Sequence, residues 1–141
     1  MLKGGIREWR EKGYATEKVR PAAGSARGAQ LYRQHCATCH GRAGEGVAGH
    51  FPPLSGDPLL AAPEPWGAIY VTLYGLKGRR VAGRDWQAAM GGFARFLSDE
   101  EAAALLSHAR QAFGGNARAV TAADVRRVRA EVEAARAQNR Q

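Results

Sequence analysis

Cys36-Ala37-Thr38-Cys39-His40 is the stretch on which the rest of this 141-residue chain has to be read. It is a C-x-x-C-H run, the pattern at which a c-type haem is tethered. Two thioethers need cysteines one helical turn apart, and the histidine after the second then falls under the porphyrin face, where an imidazole nitrogen can bind iron. His40 is therefore the expected proximal ligand. Two other chemistries use paired cysteines. A redox disulfide of the thioredoxin kind sits at a helix start within a βαβ pattern, and no strand pattern surrounds this motif. A structural zinc site wants four closed ligands, and the chain has no third cysteine. A zinc or thiol-redox module predicts a colourless protein, whereas the haem reading predicts a coloured one.

The length suits one modest domain with extensions. Only 8% of the residues are aromatic, so a covalently held porphyrin is expected to supply part of the apolar core. The formal net charge of +8 is uneven. Residues 1–24 carry six basic against three acidic side chains, residues 25–115 nine against seven, and residues 116–141 six against three. The basic excess thus belongs mostly to the two ends, and no basic stripe with interleaved aromatics crosses the middle, which argues against nucleic-acid binding. No apolar run of about 18 residues is present to suggest a transmembrane segment.

Outward from the motif, Ser25 is the expected N-cap of a helix running from about Ala26 to Cys36, after a small, Pro- and Gly-containing linker at Arg20-Pro21-Ala22-Ala23-Gly24. Leu31 and Tyr32 fall on its buried face. Gly28, Tyr32 and the C-x-x-C-H run stand at the spacing seen in class I cytochromes c, which the chain resembles from about residue 24 to 115. The resemblance implies an all-α class I cytochrome c fold with one covalent haem c on Cys36 and Cys39. It also implies that the first helix crosses the last at Gly28, which has no side chain to hold the backbones apart. Four glycines between Gly41 and Gly49 make a loop able to wrap a flat ligand closely. In Phe51-Pro52-Pro53-Leu54, the resemblance gives the Pro52 carbonyl the second ring nitrogen of His40 to hold, and Leu54 a place against the haem. His50 is expected in solvent.

A helix starts at Pro63-Glu64-Pro65-Trp66, where proline is tolerated and glutamate suits the positive dipole end. Trp66, Ile69, Tyr70, Leu73 and Tyr74 recur at helical spacing and are expected to face the core. Gly75 and Gly78 end it, and Leu73-Tyr74-Gly75-Leu76-Lys77-Gly78 is similar to the matching segment of small bacterial class I cytochromes that feed terminal oxidases. The segment from Arg79 to Leu97 is the expected distal loop. A six-coordinate electron carrier needs a second axial ligand, and methionine sulfur raises the potential. Of the two methionines, Met1 and Met90, Met90 stands where the family carries its ligand, followed by Gly91 where the family often has proline. The bland alternative for Met90 is core filler, with His108 and His50 as substitute ligands. Trp86 is a candidate N–H donor to a haem propionate, and Arg79, Arg80 and Arg84 reach either propionates, an acidic partner or solvent.

Ser98-Asp99-Glu100-Glu101 is a capping box, opening a helix through Phe113 that Gly114-Gly115 stops. Thr121, with Asp124 three residues on, caps a last helix to about Ala137. Its Val125, Val128, Val132 and Ala135 form a narrow apolar stripe between arginines, suited to the haem domain or to a partner, with the basic face in solvent.

At the other end, Leu2-Lys3-Gly4-Gly5-Ile6-Arg7-Glu8-Trp9-Arg10-Glu11-Lys12-Gly13-Tyr14 reads as a short helix with Ile6 and Trp9 on one face. The stretch also resembles the C-terminal end of rhodanese-type sulfurtransferase domains. The sulfur-carrying cysteine of that family has no counterpart here, because both cysteines belong to the haem motif, so what the resemblance implies is a link to sulfur metabolism.

The expected organisation is a rhodanese-like remnant and linker over 1–23, a cytochrome c domain over 24–115, and a basic C-terminal helix over 116–141. The expected function is one-electron transfer in a periplasmic respiratory chain by a monomer, not an enzyme. A dehydrogenase is the expected donor, one oxidising sulfur compounds if the rhodanese resemblance is followed, and a terminal oxidase is the expected acceptor. The alternative is a haem c enzyme or ligand-binding protein with an open distal site. Met1-Leu2-Lys3-Gly4-Gly5 is not a signal peptide, and the family's haem is attached outside the cytoplasm, so an export segment is expected to have been removed or the chain to be part of a longer one.

Overall fold

The computed structural model describes residues 21–76, 79–81, 84–86, 89–115 and 117–140, with side chains from residue 26 onward and outside 77–88. The rhodanese-like stretch, and the side chains of Arg79, Arg80, Arg84 and Trp86, lie outside the described residues. The elements are α1 (Pro21–His35), α2 (Ala37–His40), α3 (Pro58–Ala61), α4 (Trp66–Tyr74), β1 (Arg79–Val81), β2 (Arg84–Trp86), α5 (Asp99–Phe113) and α6 (Ala122–Asn139). The architecture is all-α apart from one short antiparallel ribbon.

Helix α1 starts earlier than the sequence suggests. The expected linker at 21–25 is helical and Ser25 is inside the helix rather than its cap. Pro21 suits a first turn because its missing N–H would have no partner there. Farther along, α1 crosses α5 at Gly28, and a Cβ placed on Gly28 would collide with the Ala104 carbonyl. Leu31 and Tyr32 are buried at this crossing with Ala102, Leu105, Leu106 and Ala109.

Both capping boxes form. Ser98 Oγ accepts from the Glu101 N–H at 3.1 Å while Glu101 Oε1 accepts from the Ser98 N–H at 2.9 Å. At α6, Thr121 Oγ1 accepts from the Asp124 N–H and Asp124 Oδ2 from the Thr121 N–H. Between these helices, the buried Ser107 hydroxyl donates to the Val120 carbonyl and accepts from the Val120 N–H, pinning the connecting segment.

Helix α6 belongs to the same core rather than standing off as an appendage. Val125 and Val128 are fully buried and Val132 nearly so, whereas Ala135, the fourth residue of the expected stripe, is exposed. The groove that receives α6 is partly aromatic. Ile69 and Leu73 of α4 point into the main core, but Trp66, Tyr70 and Tyr74 are only half-buried. Trp66 Nε1 donates to Glu131 Oε1 at 2.7 Å, and the Arg136 guanidinium lies 4.8 Å over the Tyr74 ring.

The region expected as one distal loop contains the ribbon, with Arg79 opposite Trp86, Arg80 opposite Asp85 and Val81 opposite Arg84. Alternation over three residues is too short to have signalled strands.

Candidate functional site

The proximal side is built by local chain geometry. Helix α2 carries the motif, and the His40 N–H donates to the Cys36 carbonyl at 2.9 Å. Gly41 at φ +85° turns the chain back at once. The buried Tyr32 hydroxyl donates to the Gly41 carbonyl at 2.6 Å, so α1 holds the turn that presents His40. Burial, then Cys36 and Glu45, push the Tyr32 hydroxyl's pKa up, which keeps it a donor. Val47 and Phe51 exchange both backbone hydrogen bonds at 2.9 Å. Gly46, at φ +72°, lets this turn lie against the Phe51 and Pro52 backbone, where a Cβ would not fit. The result is a distance of 2.9 Å between His40 Nδ1 and the Pro52 carbonyl oxygen. A carbonyl can only accept, so Nδ1 carries the proton and Nε2 is left as the donor atom for a metal.

The distal side is seated on the end of α4. Leu76 and Met90 exchange backbone hydrogen bonds of 3.0 and 2.7 Å. The Phe93 and Ala94 N–H groups then donate, each at 2.9 Å, to the Thr72 and Leu73 carbonyls. Those carbonyls end α4 and would otherwise lack partners. Gly75 and Gly92 permit the approach, since a Cβ on Gly75 would strike the Met90 carbonyl and one on Gly92 the Leu73 carbonyl.

Between these two sides lies a cleft of about 310 Å³. Cys36, Cys39, His40, Pro52, Leu54 and Met90 all line it. Leu60, Val71, Leu105 and Leu106 supply apolar wall, with Thr72 a polar point among them. The fallback ligands do not converge there. His50 is exposed, and His108 packs against Tyr32 and Phe113, its pKa held down by burial and then by Arg33. One histidine that sequence reasoning passed over does line the cleft: His35, whose ring meets Phe93 edge-on at 5.4 Å. Its position directly before Cys36 was the available signal. The α5 wall was legible as a helical stripe, but α3, which brings Leu60, is four residues long and has no period to read.

The donor set fits a haem. An imidazole with one nitrogen already held, a thioether sulfur and two cysteines share one mainly apolar cleft, which is what covalent attachment and iron ligation require. The rival chemistries find less support. Among the described residues no three His, Cys, Asp or Glu side chains gather as a metal-binding group. Burial, then Cys39, push the Cys36 thiol up to about 12, opposite to the lowered pKa of a redox-active thiolate. Among the same residues no helix is long and apolar enough to cross a membrane.

Comparison with known proteins agrees with this geometry. A family model described as Cytochrome c matches residues 25–112. Cytochrome c-552 of Thermus thermophilus is 40% identical over 120 residues, covering 78% of this chain and 79% of the relative. The cytochrome c subunit of a quinone alcohol dehydrogenase from Gluconobacter oxydans is 35% identical over 103 residues, 72% of this chain but 22% of that subunit. The matched stretch holds both walls of the cleft, and the chain belongs to the cytochrome c family, electron-transfer proteins whose haem c is bound covalently, here with Cys36 and Cys39 at the attachment spacing.

Proposed function

We propose that this chain carries single electrons with His40 and Met90 as the axial ligands of its haem. The observation that supports this most is that His40, its Nδ1 engaged by Pro52, and Met90, fixed by two backbone hydrogen bonds to Leu76, line the same cleft. When bound, the haem supplies a reversible one-electron couple, and a methionine-histidine pair raises its potential. The chain's part is to bind, orient and dry the group. Pro52 fixes the His40 tautomer, Leu54 and the α5 leucines exclude water, and the Gly75 and Gly92 contacts hold Met90 in place. Trp86 is retained as the proposed donor to a propionate.

The donor is a dehydrogenase and the acceptor a terminal oxidase, both reached on the extracytoplasmic side of the membrane. The cytochrome subunit of a quinone alcohol dehydrogenase among the relatives supports the first half, and the rhodanese-like N-terminal sequence supports sulfur compounds as the ultimate source of electrons.

The visible spectrum tests the ligand pair. Methionine–iron bonding should give the ferric protein a weak long-wavelength absorption band of its own, expected from the ligand type, and Met90→Ala should abolish it. A protein without pigment, or a band that survives Met90→Ala, would refute the assignment. Persistence of a high-spin spectrum in the wild type would instead favour the open-site alternative.

A further inference from the structure

Helix α6 reaches beyond the core to the loop that follows Met90. Arg129 Nη1 donates to the Ala94 carbonyl at 2.9 Å, Nη2 to the Leu97 carbonyl at 2.7 Å, and Nε to Asp99 Oδ1 at 2.7 Å. Ala94 is thereby held from both sides, because its N–H donates to the Leu73 carbonyl of α4. The same helix grips α4 through Glu131 on Trp66 and Arg136 over Tyr74. One element therefore fixes both the loop carrying Met90 and the helix end on which that loop sits. A guanidinium suits the task because its planar fork sets the directions of several donors at once. Arg126 also approaches Asp99, at 3.9 Å, so charge near Asp99 survives the loss of Arg129, while the two carbonyl bonds of Arg129 do not.

We propose that Arg129 is a positioning residue for the distal ligand: it holds the 90–97 loop closed, so that an external ligand cannot easily take Met90's place. The inference rests on Met90 being axial. If it is, a competing ligand binds with its affinity reduced by the fraction of molecules whose loop is open. Loosening the loop must then tighten that ligand's apparent binding, even though no group touching the iron has changed.

The experiment titrates the ferric holoprotein with imidazole and follows the absorbance spectrum. Arg129→Met should bind imidazole about tenfold more tightly than wild type, with Arg129→Lys in between, as the open fraction rises. Val128→Ala is the control, since it loosens the buried face of α6 while removing none of the Arg129 hydrogen bonds; its imidazole affinity should stay within about twofold of wild type while its thermal midpoint falls. An Arg129→Met affinity within about twofold of wild type would overturn the proposal. So would an equal gain in Val128→Ala, which would make any loosening of α6 sufficient. If Arg129→Met does not fold with haem, hydrogen exchange in ferrous Arg129→Lys decides. The Phe93 and Ala94 amides should exchange faster relative to those of α1, and unchanged protection would sink the idea. Met90→Ala isolates the premise: if it binds imidazole no more tightly than wild type, the axial assignment has failed, whatever Arg129 does.

Discussion

Replacing Arg110 by methionine should strip the cleft of the support behind one of its walls. None of this side chain is exposed, and its charge is met by carbonyl oxygens. Nε donates to the Arg118 carbonyl at 2.9 Å, Nη1 to those of Leu60 and Ala62 at 3.1 and 2.8 Å, and Nη2 to that of Pro63 at 3.4 Å. Burial, then Arg118, push its pKa down, while Glu64 and Asp124 pull it up. Leu60 is the link to function, because its carbonyl is one of Arg110's acceptors and it also lines the cleft.

Each hydrogen bond from a charged donor is worth about 1.5–3 kcal/mol. Three of good length therefore set a gross loss of about 4.5–9 kcal/mol. Methionine escapes the desolvation of the guanidinium and fills much of its volume, so the net cost should be about 3–5 kcal/mol, as when one partner of a buried charged contact is removed. For a chain of this size that lowers the thermal midpoint by roughly 10–18 °C. Guanidinium unfolding of the holoprotein, followed by far-ultraviolet circular dichroism, measures it. Arg110→Lys, which keeps the charge and can still reach some of the carbonyls, should recover part of the loss. A cost for Arg110→Met below about 1 kcal/mol would show that the carbonyls find water readily and that the buried guanidinium does not hold α3 in place.

Two glycines at close backbone approaches give further predictions. Gly28→Ala should destabilise by about 1–3 kcal/mol despite alanine's better helix propensity, because the added methyl meets the Ala104 backbone rather than a yielding side chain; denaturant midpoints check this, and a gain in stability would refute the close crossing. Gly92→Ala, obstructed by the Leu73 carbonyl, should weaken the methionine–iron absorption band. Stability should also fall in acid through the α5 cap. The Ser98 N–H, opposed by desolvation and helped by Arg27 and the Ser98 hydroxyl, holds Glu101 below its usual 4.5. A carboxylate depressed in the folded state stabilises above its unfolded pKa and loses that contribution as pH falls through the folded one, so Glu101→Gln should flatten the decline of urea midpoints below about pH 4.5.

What could be read from the sequence was whatever lies within a few residues of itself. The C-x-x-C-H run and the capping boxes at Ser98 and Thr121 are complete in four or five positions, so their chemistry is visible without a fold. The Pro52 carbonyl, twelve residues from His40, was legible only through resemblance, since nothing in Phe51-Pro52-Pro53 marks one carbonyl as a partner for a distant ring. Ser25 misled because a good capping residue was available four residues after a proline equally able to start the helix. Helix propensity and capping leave such a start undetermined, and tertiary packing can override both.

The arginines show the same limit from the side of charge. Counted along the chain, the C-terminal excess looks like a basic surface offered to a partner. In the fold, Arg118 joins Glu64 and Asp124, Arg129 binds Asp99 and the carbonyls of the loop after Met90, and Arg136 covers Tyr74. These cations hold the chain to itself, and each does so through acceptors that the sequence places far away or on another element. Net charge still describes the long-range field of the molecule. It does not say which cations are free for docking, because an arginine held by backbone carbonyls must give up those bonds before it can meet a partner's carboxylate.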